Sequence, residues 1–229
     1  QFTTMPTTLI IILAILFVVA FSFSFLYSKF YIAKAYTKED LENRIKNTSE
    51  QEIREFYTSE MGEYIKHLNG KKPIAASCLF HIPDTKEYLK DGAKNYLRGL
   101  LTLGMVKFRT VYVATPLFLA EDGLHVIELD KDNEVKNHYL FDNDRLANAK
   151  IFPKDDPTAR KQLNENASFF TLSFPSESGT RELELCTEFY PTQEIYSLYP
   201  FNKKLMAAAT GRHFLKKLGE HFSNLQVRF

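Results

Sequence analysis

Charged side chains are absent from the first part of the chain, Gln1 to Ser28, so all 29 Lys and Arg and all 28 Asp and Glu follow it. The chain also has no tryptophan and only two cysteines, Cys78 and Cys186. Two cysteines without C-x-x-C spacing exclude a disulfide scaffold and suit a reducing compartment. They are expected to be two ordinary semi-buried thiols, and a single disulfide is the open alternative.

Sequence motifs of catalysis are absent as well. The chain contains no Gly-rich phosphate loop, no H-E-x-x-H, no G-x-S-x-G and no dinucleotide fingerprint. The sequence therefore predicts no catalytic residue, no metal ligand and no cofactor, and it favours a protein that is not an enzyme. The net charge of +1 gives no reason to expect a nucleic-acid partner.

The uncharged segment is strongly apolar. From Leu9 to Leu26 only Ser22 and Ser24 interrupt the apolar residues, and such a helix would be about 27 Å long, close to the hydrocarbon thickness of a bilayer. We expect a short tail at 1–8 and a transmembrane helix at 9–27. A buried core helix is the weaker alternative, and a cleaved signal peptide lacks its basic region here. The predicted anchor residues are Leu9, Ile12, Leu16, Val19, Phe23, Leu26, Tyr27 and Lys29.

Lysines flank this segment on one side only. None precedes it, whereas Lys29, Lys34 and Lys38 follow it. The positive-inside rule then predicts a single-pass cell-membrane protein whose soluble domain is cytoplasmic, with membrane lipid as one partner.

Residues 28–70 are predicted to form a helical connector. Thr37 with Asp40, and Ser49 with Glu52, have the spacing of capping boxes, so two helices are expected with a break at 47–49. The pair Asn69-Gly70 indicates where the second helix ends.

Residues 71–229 are predicted to form an α+β domain. After a possible strand at 74–80 and a helix at 84–103, the hydrophobic period changes from helical to alternating. Glu121-Asp122-Gly123 is typical of a hairpin turn, because Gly can adopt positive φ. The predicted strands then fall at 105–112, 117–120, 124–129, 135–141, 146–152, 170–174 and 183–189, with Asp142–Asp144 as a turn, and a last amphipathic helix at 202–223.

Two stretches carry a resemblance to a known family. The run TPLFLAEDGLHVIELDKDNEVKNHYLFDNDRLANAKI resembles the repeating hairpins of bacterial pleckstrin-homology-like domains, and TGRHFLKKLGEHF resembles the helix that closes their barrel. The resemblance covers about 105–225 and is one of pattern and element order. It implies an antiparallel β-meander, as a barrel or sandwich, capped by a C-terminal amphipathic helix; the helix at 84–103 departs from the minimal fold.

Two histidines, His125 and His138, lie on strands predicted to be neighbours, so the two side chains are expected to approach each other. A metal site would need Glu128 or Asp142 as further ligands, and two exposed strand histidines are the simpler interpretation.

The last helix is rich in basic residues, which could contact an anionic surface. An ordinary solvated helix face is the favoured alternative. The candidate contact residues are Lys203, Lys204, Arg212, Lys216 and Lys217.

These observations favour a membrane-anchored, non-enzymatic interaction or scaffold protein with a protein partner in a membrane complex. One alternative is an enzyme or small-ligand-binding domain that uses His125, His138 and nearby carboxylates, although a small-molecule ligand is not the favoured partner. Another alternative is a membrane-bound immunity or inhibitor protein.

Overall fold

A computed structural model describes residues 7–27, 36–79, 115–130, 132–157, 160, 164–176, 179–189 and 199–228. The helices are α1 (Thr7–Tyr27), α2 (Lys38–Asn47), α3 (Glu50–Ile65), α4 (Asn143–Ala147) and α5 (Phe201–His221). Short 3₁₀ turns lie at Lys66–Leu68 and Ser223–Leu225. The strands are β1 (Ala75–Leu79), β2 (Thr115–Ala120), β3 (Gly123–Leu129), β4 (Val135–Asp142), β5 (Lys150–Lys154), β6 (Phe169–Ser176) and β7 (Gly179–Cys186).

Helix α1 occupies the predicted membrane span. Its side chains are described from Ile12 to Tyr27, and the large apolar ones are exposed. Among the described residues, no helix is both long enough and apolar enough to cross a bilayer. This finding corrects the predicted transmembrane helix at 9–27, the fold class that included it and the single-pass cell-membrane localisation.

The predicted anchor residues can be placed individually. Lys29 lies outside the described part of the chain. The other seven lie on α1: Leu9, Ile12, Leu16, Val19, Phe23, Leu26 and Tyr27.

The strands form two antiparallel sheets, so the chain is α+β. Sheet A has the order β1-β2-β3-β4, and sheet B has the order β5-β6-β7. The hairpin predicted at Glu121–Gly123 joins β2 to β3, with Ala120 opposite Gly123 and a φ of 140° at Gly123. The predicted helix at 84–103 and the predicted strand at 105–112 lie outside the described residues.

Helix α3 covers one face of sheet A. Its N-cap forms the predicted capping box, since Ser49 Oγ accepts from the Glu52 amide at 3.2 Å and the Glu52 carboxylate accepts from the Ser49 amide at 2.8 Å. Thr37 and Asp40 form the same arrangement at α2. Ile53, Tyr57, Met61 and Tyr64 recur at helical spacing and are buried against residues of β1, β2 and β3. Burial of this stripe holds α3 to the sheet.

Helix α5 is buried on more than one side. Met206 and Ala207 pack in the core that contains α3, whereas Phe214 and Leu218 pack with residues of both sheets. A Cβ at Gly211 would lie 2.5 Å from the Thr187 carbonyl oxygen, so only glycine allows this close approach. The helix is therefore a central element of the core.

Three local predictions are wrong. The segment predicted as a turn at Asp142–Asp144 begins α4, because the Asp142 carboxylate accepts from the Arg145 amide at 2.9 Å and caps the helix. Leu146 thus lies in a helix, and the following strand begins only at Lys150. The strand predicted at 183–189 ends at Cys186, and Glu188, which lies beyond that end, is buried at 1% exposure.

Candidate functional site at the edge of sheet A

Asp122, His125 and His138 lie together on sheet A, and we call them the histidine cluster. The β2–β3 turn supplies Asp122, β3 supplies His125 and β4 supplies His138. His125 pairs with Leu140 and His138 pairs with Ile127, so both imidazoles lie on the same face of the sheet. Their predicted proximity is confirmed. The simpler interpretation, two exposed strand histidines, is wrong for His125, which is buried.

The three side chains form a continuous hydrogen-bonded chain. Nδ1 of His125 lies 2.8 Å from Nε2 of His138, and Nε2 of His125 lies 3.0 Å from Oδ1 of Asp122. The two rings are stacked, with centroids 5.0 Å apart. His125 is buried at 2% exposure, whereas His138 is exposed. The chain therefore connects a buried imidazole to the surface.

The hydrogen-bonding groups fix where the protons lie. An ionised carboxylate can only accept, so Nε2 of His125 carries a proton and donates it to Asp122. When both histidines are neutral, Nδ1 of His125 accepts and Nε2 of His138 donates. The hydrogen bond from His125 lowers the pKa of Asp122, which keeps this carboxylate ionised.

The pKa of His138 is shifted in the direction that disfavours its charged form. Partial burial is the main cause of its lowered pKa, and the positive charges that His125 and His67 can carry add to it. Asp122 acts in the opposite direction. The neutral form of His138 is thus favoured near neutral pH.

The carboxylates that could have completed a metal site are engaged elsewhere. Glu128 accepts from Lys136 at 2.8 Å, from Asn137 at 2.7 Å and from Tyr139 at 3.3 Å. Asp142 caps α4. No group of three His, Cys, Asp or Glu suited to hold a metal ion occurs within the described ranges. The 2.8 Å separation of the imidazole nitrogens is that of a direct hydrogen bond.

Strand β4, which carries His138, is an edge strand of sheet A among the described residues, where it pairs with β3 alone. His138, Tyr139 and Leu140 are exposed in succession, with Tyr139 at 42% and Leu140 at 39%. Because neighbouring residues of a strand point to opposite faces, both faces of β4 are accessible.

The basic residues of α5 differ in their contacts and in their burial. Lys203 contacts Glu60 at 2.7 Å and lies 4.0 Å above the Tyr199 ring. Lys217 contacts Glu50 at 2.8 Å and Glu220 at 3.2 Å. Lys204 is only 9% exposed.

The remaining two basic positions differ in exposure. Arg212 is half-buried, and the Lys216 side chain is 68% exposed. Burial lowers the pKa of both Lys204 and Arg212. Of the five candidates for an anionic contact, Lys216 is therefore the one whose charged end is largely in solvent.

Asp122 is the member of the cluster that sequence reasoning missed, since it was assigned only to the turn. The spacing Asp-x-x-His across a hairpin turn could have indicated it, because the turn folds Asp122 back toward His125. The effect of His67 on the pKa of His138 comes from the 3₁₀ turn after α3, and no local pattern in the sequence indicates it.

Comparison with known proteins identifies no relative. No family, no curated protein and no solved structure matches this chain. The resemblance to pleckstrin-homology-like domains stays a prediction without support from these comparisons.

Proposed function

We propose that this chain is a non-enzymatic interaction protein that binds another polypeptide through the outer edge of β4. The observation that carries the proposal is the succession of exposed His138, Tyr139 and Leu140 on an edge strand of eight residues. An exposed edge with large apolar side chains is a template for an added strand, which supplies backbone hydrogen bonds and alternating side-chain contacts.

Other strand edges of the described sheets are less suited to this role. The four exposed residues of β7, Gly179 to Glu182, include no large apolar side chain. Strand β1 is buried at four of its five positions. Strand β5 has five residues and contains Pro153, which lacks an amide hydrogen to donate. The contrast supports β4 as the binding edge.

Site-specific photo-crosslinking tests the proposal in cells that express the full chain. A benzophenone amino acid replaces Tyr139 in one variant and Phe152 in the matched control, because Phe152 is also an exposed aromatic residue, at 49%, but lies on β5. We expect a defined polypeptide adduct from position 139 and not from position 152. Equal adducts, or none from position 139, would contradict the proposal.

The histidine cluster favours a second candidate function, acid–base chemistry or small-ligand binding at His138. An exposed imidazole that is hydrogen-bonded to the buried His125, which in turn donates to the half-buried Asp122, has the arrangement of a general base with its positioning groups. Native mass spectrometry of the purified full chain tests this candidate. A co-purifying small molecule that is lost in His138→Gln would favour it over the interaction function, whereas its retention in that variant would count against it.

A further inference from the structure

We infer that the polypeptide bound at β4 is a second copy of this chain, paired antiparallel through β4 about a two-fold axis at Tyr139. The inference rests on the proposed function and names its partner. It follows from the order of charges and exposed side chains along the strand.

Strand β4 has the sequence VKNHYLFD, and its two charged residues are Lys136 and Asp142. Each lies three positions from Tyr139, on opposite sides of it. In an antiparallel pair centred on Tyr139, Lys136 of each copy lies opposite Asp142 of the other. The same strand therefore supplies both halves of two cross-strand ion pairs.

Other registers lack this match. Centring the pair on His138 places Lys136 opposite Leu140 and brings the two His138 side chains together. Centring it between His138 and Tyr139 places Lys136 opposite Phe141. Opposite charges across neighbouring strands stabilise their pairing, and like charges oppose it.

The remaining positions of the Tyr139 register are compatible with close pairing. His138 lies opposite Leu140 on one face, and the two Tyr139 rings meet on the other. The side chains of Lys136 and Asp142 already contact Glu128 and Arg145, yet they are 58% and 51% exposed. Both charges can therefore accept an additional partner at the edge.

A cysteine on a two-fold axis can form a disulfide with its own copy, which gives a direct test. Tyr139→Cys in the full chain should form a disulfide-linked dimer under mild oxidation, because directly opposed Cα atoms of antiparallel strands lie roughly 4.5–5.5 Å apart, within the range that a disulfide spans. Phe152→Cys is the matched control on β5. The native thiols, Cys78 and Cys186, are buried.

Charge reversal then tests the register. Lys136→Asp and Asp142→Lys are each added to the Tyr139→Cys chain. Each variant alone places two like-charge pairs across the interface, and we expect at least tenfold slower crosslinking. An equal mixture of the two variants restores opposite charges and should crosslink as fast as Tyr139→Cys.

Three outcomes would overturn the inference. These are a Tyr139→Cys dimer that forms no faster than the Phe152→Cys dimer, single charge variants that crosslink unchanged, or a mixture that fails to recover. If the photo-crosslink from position 139 instead joins a different polypeptide, this inference fails while the proposed function stands. If that photo-crosslink is absent, the proposed function itself fails.

Discussion

The imidazoles of His125 and His138 share one hydrogen bond of 2.8 Å, between Nδ1 of the first and Nε2 of the second. Only one proton can lie between these nitrogens. A proton added to His138 enters at its other nitrogen and breaks no bond in the chain to Asp122. A proton added to Nδ1 of His125 would place two N–H groups against each other, so the positive charges of the two imidazoles oppose one another.

We predict opposite shifts of the His138 pKa in two variants. Asp122→Asn removes a negative charge that favours the protonated form, so the pKa of His138 falls further. His125→Gln removes a neighbouring positive charge that opposes protonation, so this pKa rises. Proton NMR titration of the His138 ring measures both shifts. The matched control is Asp132→Asn on the β3–β4 turn, and shifts of the same sign in the two test variants would contradict the coupling.

The buried member of the pair should matter more for stability than the exposed one. His125→Ala removes a buried imidazole together with its hydrogen bonds to His138 and Asp122, and we expect the free energy of unfolding to fall by about 1–3 kcal/mol. His138→Ala loses the same hydrogen bond at the surface and should cost less. Urea denaturation of both variants provides the measurement, and an equal loss would show that burial of His125 is not the deciding factor.

The sequence predicted those features that depend on near neighbours in the chain. Gly123 identified the hairpin, and Ser49 with Glu52 identified the start of α3, because both signals act within a few residues. The burial of Glu188 depends instead on where β7 ends and on the approach of α5. Asp142 caps helix α4 instead of forming the predicted turn. Aspartate is favoured in both roles, so the local sequence does not decide between a cap and a turn.

The candidate site divides in the same way. The proximity of His125 and His138 followed from predicted strand order and a period of two. The hydrogen bond to Asp122 and the influence of His67 required the tertiary arrangement. The position of β4 at the edge of the described sheet also required the pairing order, since alternation along a strand does not show which strands pair with it.

Two glycines with positive φ should respond differently to alanine. Gly123 has φ 140°, and an added Cβ would lie 2.2 Å from the Phe141 carbonyl oxygen. Gly179 has φ 123°, and nothing lies within 4 Å of an added Cβ. Gly179→Ala should cost about 1–3 kcal/mol from backbone strain alone, and Gly123→Ala clearly more because the backbone must also move.

Thermal denaturation compares the two glycine variants under identical conditions. We expect a lower melting temperature for Gly123→Ala than for Gly179→Ala. Equal losses would indicate that the close approach of β4 to the hairpin has no energetic consequence.

The same substitution should have opposite effects at two serines of the α3 region. Ser49→Ala removes the N-cap and is expected to cost about 1 kcal/mol. Ser59 lies inside α3, where its hydroxyl donates to the Phe56 carbonyl at 2.7 Å. Alanine is the better helix former there, so Ser59→Ala should be neutral or slightly stabilising. Chemical denaturation measures both, and a loss at Ser59 as large as that at Ser49 would contradict the assignment of the cap.

His213 on α5 should make stability fall in mild acid. Burial is the main cause of its lowered pKa; Lys217 and Lys216 add to the shift, whereas Glu50 and Glu220 oppose it.

The unfolded chain therefore takes up a proton at His213 near the ordinary pKa of 6.5, before the folded chain does. The stabilising contribution is complete above pH 6.5 and is lost as pH falls toward the lowered value, with no further loss below it. In His213→Gln we expect the free energy of unfolding to depend less steeply on pH as the pH falls below about 6.5. The carboxylates with lowered pKa values change the free energy of unfolding only below about pH 4.5. The pH dependence above that value therefore reports on histidines. A pH dependence in His213→Gln equal to that of the unchanged chain would show that His213 is not responsible.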